Sequence, residues 1–277
     1  MKSSPPNDSE QLHMVARYEL LKYLRGQRLF GILIITAFIA WLMLALPPLI
    51  GRGYPSDVRT FPSTFLNFVS ILIVLSATFF GSDAIVSEFQ QRTGYALFPS
   101  PIRRRIILLG KYLASALSSL LVVSVYYIII IVSAQAIYGT FPGELFLSYY
   151  LAVVYMLSIL AFAFFLSSVM KGSTGSAVLT FFLFQMILPI IDVVLNSADI
   201  DPWFSITHAG GIISSILTMS PAMGEAGGPT IMRPAGAALG IPYPLYIPEV
   251  LSSLIVMVNY FAITLLAAIR VFERREL

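Results

Sequence analysis

Residues 87–112 read SEFQQRTGYALFPSPIRRRIILLGKY, a polar, basic and proline-broken stretch between two long apolar runs. Phe65–Val86 precedes it and Ile106–Ala134 follows it. Each is long enough to cross a bilayer as a helix, which takes roughly 20 apolar residues. Reading outward gives four more such runs: Leu29–Ile50 before, then Leu145–Met170, Gly175–Asn196 and Ile247–Arg270 after. The composition agrees. Of 277 residues 57% are apolar and only 11% charged, where a soluble domain carries about 25% charged residues. The mean hydropathy is +0.84. Low charge and abundant aromatics exclude disorder, and the absence of cysteine excludes a disulfide scaffold, a thiolate metal site and a cysteine nucleophile. The chain reads as an all-α integral membrane protein with six transmembrane helices.

Basic residues set the orientation, because cytoplasmic loops are enriched in Lys and Arg. Lys2, Arg17, Lys22, Arg25 and Arg28 precede the first span, and Arg92, Arg103, Arg104, Arg105 and Lys111 surround the connection after the second. Lys171, Arg270, Arg274 and Arg275 fall on the same side, and only Arg52, Arg59 and Arg233 on the other. Both termini are therefore expected in the cytoplasm, with the six spans crossing the cell membrane. The polar first 28 residues carry no cleavage site after the first apolar run, so no removable signal peptide is expected. The division expected is a single domain over 1–277: a cytoplasmic segment 1–28, a six-helix body 29–270 and a cytoplasmic tail 271–277.

Two segments outside the spans carry structure of their own. Near Gln11–Arg25, Leu12, Ala16, Leu20, Tyr23 and Leu24 share one arc of a helical wheel, while Arg17, Lys22 and Arg25 lie elsewhere. This pattern suits an interfacial helix on the inner leaflet and equally a basic stop that only orients the chain. Between spans five and six runs a long external segment, 197–246. Its Ile206, Ile212, Ile213, Ile216, Leu217 and Met219 suggest a short helix resting on the outer leaflet or dipping into it. The remainder, with Pro229, Pro234, Pro242, Pro244 and Pro248, is expected to be irregular. His208 stands alone there and reads as a solvated or hydrogen-bonded side chain, not a metal ligand.

Within the connection, Glu88 to Arg92 can leave the membrane as a short helix that Gly94 breaks, after which Pro99 and Pro101 hold the chain extended or turned. Tyr95, Leu97 and Phe98 place apolar groups in the cytoplasm, where exposure costs about 1.5–3 kcal/mol each. They either fold back onto helix ends or fill a groove on another protein. Arg103, Arg104 and Arg105 suit anionic lipid headgroups, at about 1 kcal/mol per residue, or acidic groups on a partner.

These residues resemble the segment between the second and third helices of type-2 ATP-binding-cassette permeases, the membrane subunits of many exporters. The matching positions are Glu88, Gly94, Leu97, Pro99 or Pro101, Arg103–Arg105, the Gly110–Lys111 pair, and Asp83 at the inner end of span two. The order of spans, the N-terminal helix, the external segment and the basic tail match as well. Two departures are Tyr95, where the family often has Thr after Gly94, and an external segment longer than in simple members. The resemblance implies docking of Glu88, Gly94, Tyr95, Leu97, Phe98, Pro99 and Pro101 on an ATPase subunit that binds ATP and Mg. It also implies pairing with a second permease copy or a paralogue, contact with membrane lipids, and no nucleic acid. Implied cargoes are a lipid-linked molecule, a drug, a peptide or an ion.

The chain has no phosphate loop of its own. That loop needs Gly, four residues, then Gly–Lys–Ser/Thr, but five residues before Gly110 stands Arg105, and Tyr112 follows Lys111. With His13 and His208 as the only histidines, a histidine-rich metal site is excluded. No cofactor and no metal are expected on this chain, and no enzymatic activity. Polar groups inside spans are costly and so are candidates for function. Gln185, Pro189 and Asp192 fall on one face of span five, and Asn67 and Asn259 are weaker candidates. They read as a substrate path, or as interhelical hydrogen bonds around a proline kink. Asp83 reads as a structural partner for Arg or Lys. The competing functions are a non-transporting membrane assembly factor or scaffold, and an intramembrane enzyme whose acid, base or metal constellation is missing.

Overall fold

The computed structural model describes residues 7–51, 53–90, 103–217, 246 and 248–274. Helix α1 (Asp8–Arg25) starts at Asn7, whose side chain and that of Glu10 cap each other's backbone. It stops where Gly26 turns extended, with φ −76° and ψ 151°, and α2 (Gln27–Leu49) sets off directly from that corner. Span two comes in pieces, α3 (Thr60–Leu66), α4 (Val69–Gly81) and α5 (Val86–Gln90). It is followed by α6 (Arg104–Tyr138) and α7 (Glu144–Val169). Span five is α8 (Ser173–Phe182), a π-helical turn over Leu183–Ile187, and α9 (Leu188–Ser197). The short helices α10 (Ile206–Gly210) and α11 (Ile212–Ser215) precede the last span, α12 (Val250–Arg274). Among the described residues six helices are long and apolar enough to cross a membrane, and none of the elements is a strand.

The second and fourth spans form the middle of the bundle. Leu72, Ile73, Ala77 and Phe80 on α4 and Ile159, Leu160, Ala163 and Phe164 on α7 are fully or almost fully buried. The outer helices leave apolar side chains exposed, such as Trp41 on α2, Ile190 and Val193 on α9, and Ile263 on α12. Lipid tails, as apolar as these side chains, can cover them.

Three features depart from the sequence expectation. Helix α6 has 35 residues instead of the run Ile106–Ala134; at about 1.5 Å per residue it outruns a hydrocarbon core of about 30 Å. Its N-terminal turns are covered by α1. Span five widens into a π turn where a simple kink was expected. Pro189 has no N–H to give the Gln185 carbonyl, and the turn just before it absorbs the fault. Between spans five and six the apolar residues form two short helices, not one, and they pack on protein. Ile206, Ile212, Ile213 and Leu217 are buried against the bundle. Gly210 lies on the Tyr155 ring so closely that a Cβ there would sit 2.8 Å from two ring carbons. The Ser148 hydroxyl donates to the Ile213 carbonyl at 2.7 Å. Met219 lies outside the described residues.

Candidate functional site

The C-terminal end of span two, where the connection at 87–105 begins, is held at four points. Helix α4 ends at Gly81, so its last carbonyls lack helical donors. The Phe80 carbonyl accepts from the Tyr23 hydroxyl at 3.1 Å and from the Ser115 hydroxyl at 3.0 Å. Burial pushes the Tyr23 hydroxyl well above its ordinary pKa, which keeps it a donor. Asp83, in the turn that follows, takes Arg28 Nη1 at 2.6 Å. The chain then enters α5, where the Ile85 and Val86 N–H groups both donate to Ser167 Oγ, at 3.0 and 3.1 Å. Ser167 belongs to α7, so the start of α5 is capped from another helix.

The fourth point is ionic. Glu88 on α5 and Glu19 on α1 converge on Lys111 of α6, at 2.7 and 2.5 Å from its Nζ. The lysine side chain is 3% exposed and the two carboxylates 12% and 14%. Glu19 also reaches Lys22 at 3.4 Å, so signs alternate along the chain Lys22, Glu19, Lys111, Glu88. A buried ammonium without partners costs several kcal/mol, which makes the three helices hold one another in place. Gly110 permits the approach. A Cβ there would lie 2.7 Å from Val15 Cγ1 and 2.8 Å from its Cβ.

Gly110→Ala is therefore expected to destabilise the protein. Alanine gains roughly 0.5–1 kcal/mol of helix propensity, but the clash with a branched side chain costs about 1–3 kcal/mol. Thermal denaturation of the purified protein should show a lowered midpoint.

The sequence candidates are distributed as follows. Glu88 is in the ionic cluster; Gly94, Tyr95, Leu97, Phe98, Pro99 and Pro101 lie outside the described residues. Two of the three arginines also make contacts within the chain. Arg103 pairs with Asp8 at 3.1 Å, both well exposed, and Arg104 donates to the Glu273 carbonyl at 3.2 Å, while Arg105 is exposed. Asn67 is exposed between α3 and α4, Asn259 is exposed on α12, and Gln185 is half-buried in the π turn. Asp192 is buried and accepts from the Thr207 hydroxyl at 2.5 Å. Among the described residues no hydrogen bond joins any two of these four. His208 lies 3.8 Å from Asp201, and burial lowers its pKa against the pull of Asp201 and Asp192.

Glu19 and Ser167 were not singled out from the sequence. A signal for Glu19 existed: it sits on the arc that otherwise holds Leu12, Ala16, Leu20 and Tyr23. A serine at the end of an apolar helix carries no such mark.

The sequence model of the family described as ABC-2 family transporter protein matches residues 13–277. The match takes in most of α1, the connection and every span. No individual curated protein matches the chain.

Proposed function

The chain belongs to the ABC-2 transporter family, and from that premise we propose that it is the permease subunit of an exporter driven by a separate ATPase. Six apolar helices make it a multi-pass membrane protein. The proposed partner is an ABC ATPase subunit that holds ATP and Mg and docks on the connection around Tyr95, Leu97 and Phe98. Closure of the ATPase pair on ATP moves the connection, and the spans follow. The observation that supports this reading is the way α5 is fixed: capped by Ser167 and held by Lys111, it delivers force from the connection to three helices at once. A second permease copy or a paralogue completes the path, for which the exposed apolar faces of α2 and α9 offer surface. Gln185 and Asp192, with Asn67 and Asn259, are the proposed polar positions along that path. Arg103, Arg104 and Arg105 are the proposed contacts to anionic lipid headgroups or to acidic groups on a partner.

Sidedness tests the arrangement. The chain has no cysteine, so single cysteines at 95 and 230 can be labelled with an impermeant thiol reagent in sealed vesicles. Position 95 should react only from the cytoplasmic side and position 230 only from the other. Reaction of both from one side would overturn the orientation, and the absence of any ATPase on affinity purification from the native host would overturn the function.

A further inference from the structure

We infer that Lys111 is a positioning residue that transmits movement of the connection to span one, through α1, and so gives the ATPase a second lever. The inference rests on the proposed coupling to an ATPase.

By covalent linkage the connection at 87–105 can pull only on its own neighbours, spans two and three. Span one is reached differently. Helix α1 lies across the N-terminal turns of α6, with Val15 against Gly110, and turns at Gly26 straight into α2. Gly26 is the single residue between the two helices, and its N–H donates to the Lys22 carbonyl at 2.8 Å. A displacement of α1 is therefore a displacement of the start of span one.

Lys111 ties α1 to the start of the connection from within the bundle, whereas the Arg103–Asp8 pair at 3.1 Å is exposed to solvent. Its ammonium has three donors, and two carboxylates on different helices take them within 2.7 Å. Glu88 is near the end of α5, at the start of the connection; Glu19 is in the middle of α1. When the connection shifts α5, Lys111 either loses Glu88 or follows it. If it follows, Glu19 brings α1 along, since releasing a carboxylate from a nearly buried cation is costly. Interdigitated packing of α1 on α6 favours discrete positions over continuous sliding. Tyr23, hydrogen-bonded to the carbonyl of Phe80 on span two, is a second contact of α1 on the same side and gives the helix a fixed point about which to turn.

A purely structural staple would give the same picture at rest, so the test reads movement. Spin labels on Tyr18→Cys, which is 74% exposed on α1, and Val169→Cys, exposed at the end of α7, report the position of α1 against the bundle. The full chain is purified with its ATPase, and the distance distribution is measured without nucleotide and with ATP, Mg and vanadate. A nucleotide-dependent shift is expected. Glu19→Gln should abolish the shift while the ATPase still co-purifies and the protein still folds, because Lys111 keeps Glu88. Glu88→Gln, which leaves Lys111 with Glu19, should abolish it from the other side.

Retention of the full shift in both variants overturns the inference. So does an unshifted α1 in the unmutated complex that hydrolyses ATP, and so does loss of the shift only together with loss of folding. If no ATPase co-purifies with the unmutated chain, the proposed function falls, and the inference with it.

Discussion

Truncation of Leu97 or Phe98 to Ala should strip the ATPase subunit from the purified protein and leave the membrane fold standing. Both side chains lie in a basic connection expected to be cytoplasmic, where leaving such a group in water costs about 1.5–3 kcal/mol. A groove on the ATPase would relieve that cost, and an interface hot spot is worth about 2 kcal/mol or more on truncation. At about 1.4 kcal/mol per decade, affinity should fall on the order of thirtyfold. The anchors described above, Ser167, Lys111 and Tyr23, have their own partners among the described residues, so monodispersity and melting should stay near the unmutated values. Quantitative co-purification, with coupled ATP turnover, reads the effect. A loss of melting temperature with the ATPase still bound would mean that the cluster packs on helix ends of its own chain.

Lys111→Ala should be the most damaging change at the inner face. It leaves Glu19 and Glu88 close together and nearly buried with no cation between them, and removing one partner from a buried ion pair costs about 3–5 kcal/mol. The loss should appear as a lowered thermal midpoint, with early protease access to α1, whose remaining ties to the bundle include the Tyr23 contact, the Val15–Gly110 packing and the exposed Asp8–Arg103 pair. Glu19→Gln or Glu88→Gln should cost less, because each leaves the lysine one carboxylate. Equal stability of Lys111→Ala and the unmutated protein would show that water already screens the cluster.

The spans were legible in the sequence because crossing a bilayer imposes a length and an apolar composition that few other constraints imitate. Their ends were less so. The sequence run begins at Ile106, but α6 starts at Arg104 and covers its first turns with α1, which composition does not reveal. Asp83 was legible as an ion-pair partner, and Arg28 is the residue it meets. Lys111 was visible as an odd charge at the head of an apolar run. Its two carboxylates were not, since they are 92 and 23 residues away and only the fold brings them together. The apolar residues from Ile206 to Leu217 announced helix, but whether lipid or protein would bury them depended on Tyr155, Ser148 and the span-six helix. Pro189 announced a fault in span five, and the π turn is one of several ways a helix accommodates a missing N–H. The four polar span residues shared a category and nothing more. Asp192 alone is both buried and hydrogen-bonded, and helical phase within one span said nothing about Asn67 or Asn259 on others.

The most direct measurement is ATP turnover by the purified chain alone and in complex with the ATPase that co-purifies from the native host, both in liposomes. The chain alone should show none, because it has no phosphate loop. The complex should turn over ATP, at a rate that falls when the connection at 87–105 is altered. Sustained, specific turnover by the chain free of any other subunit, or turnover by the ATPase that is indifferent to the permease and to its connection, would contradict the reading of this protein as the ATP-coupled membrane subunit of a transporter.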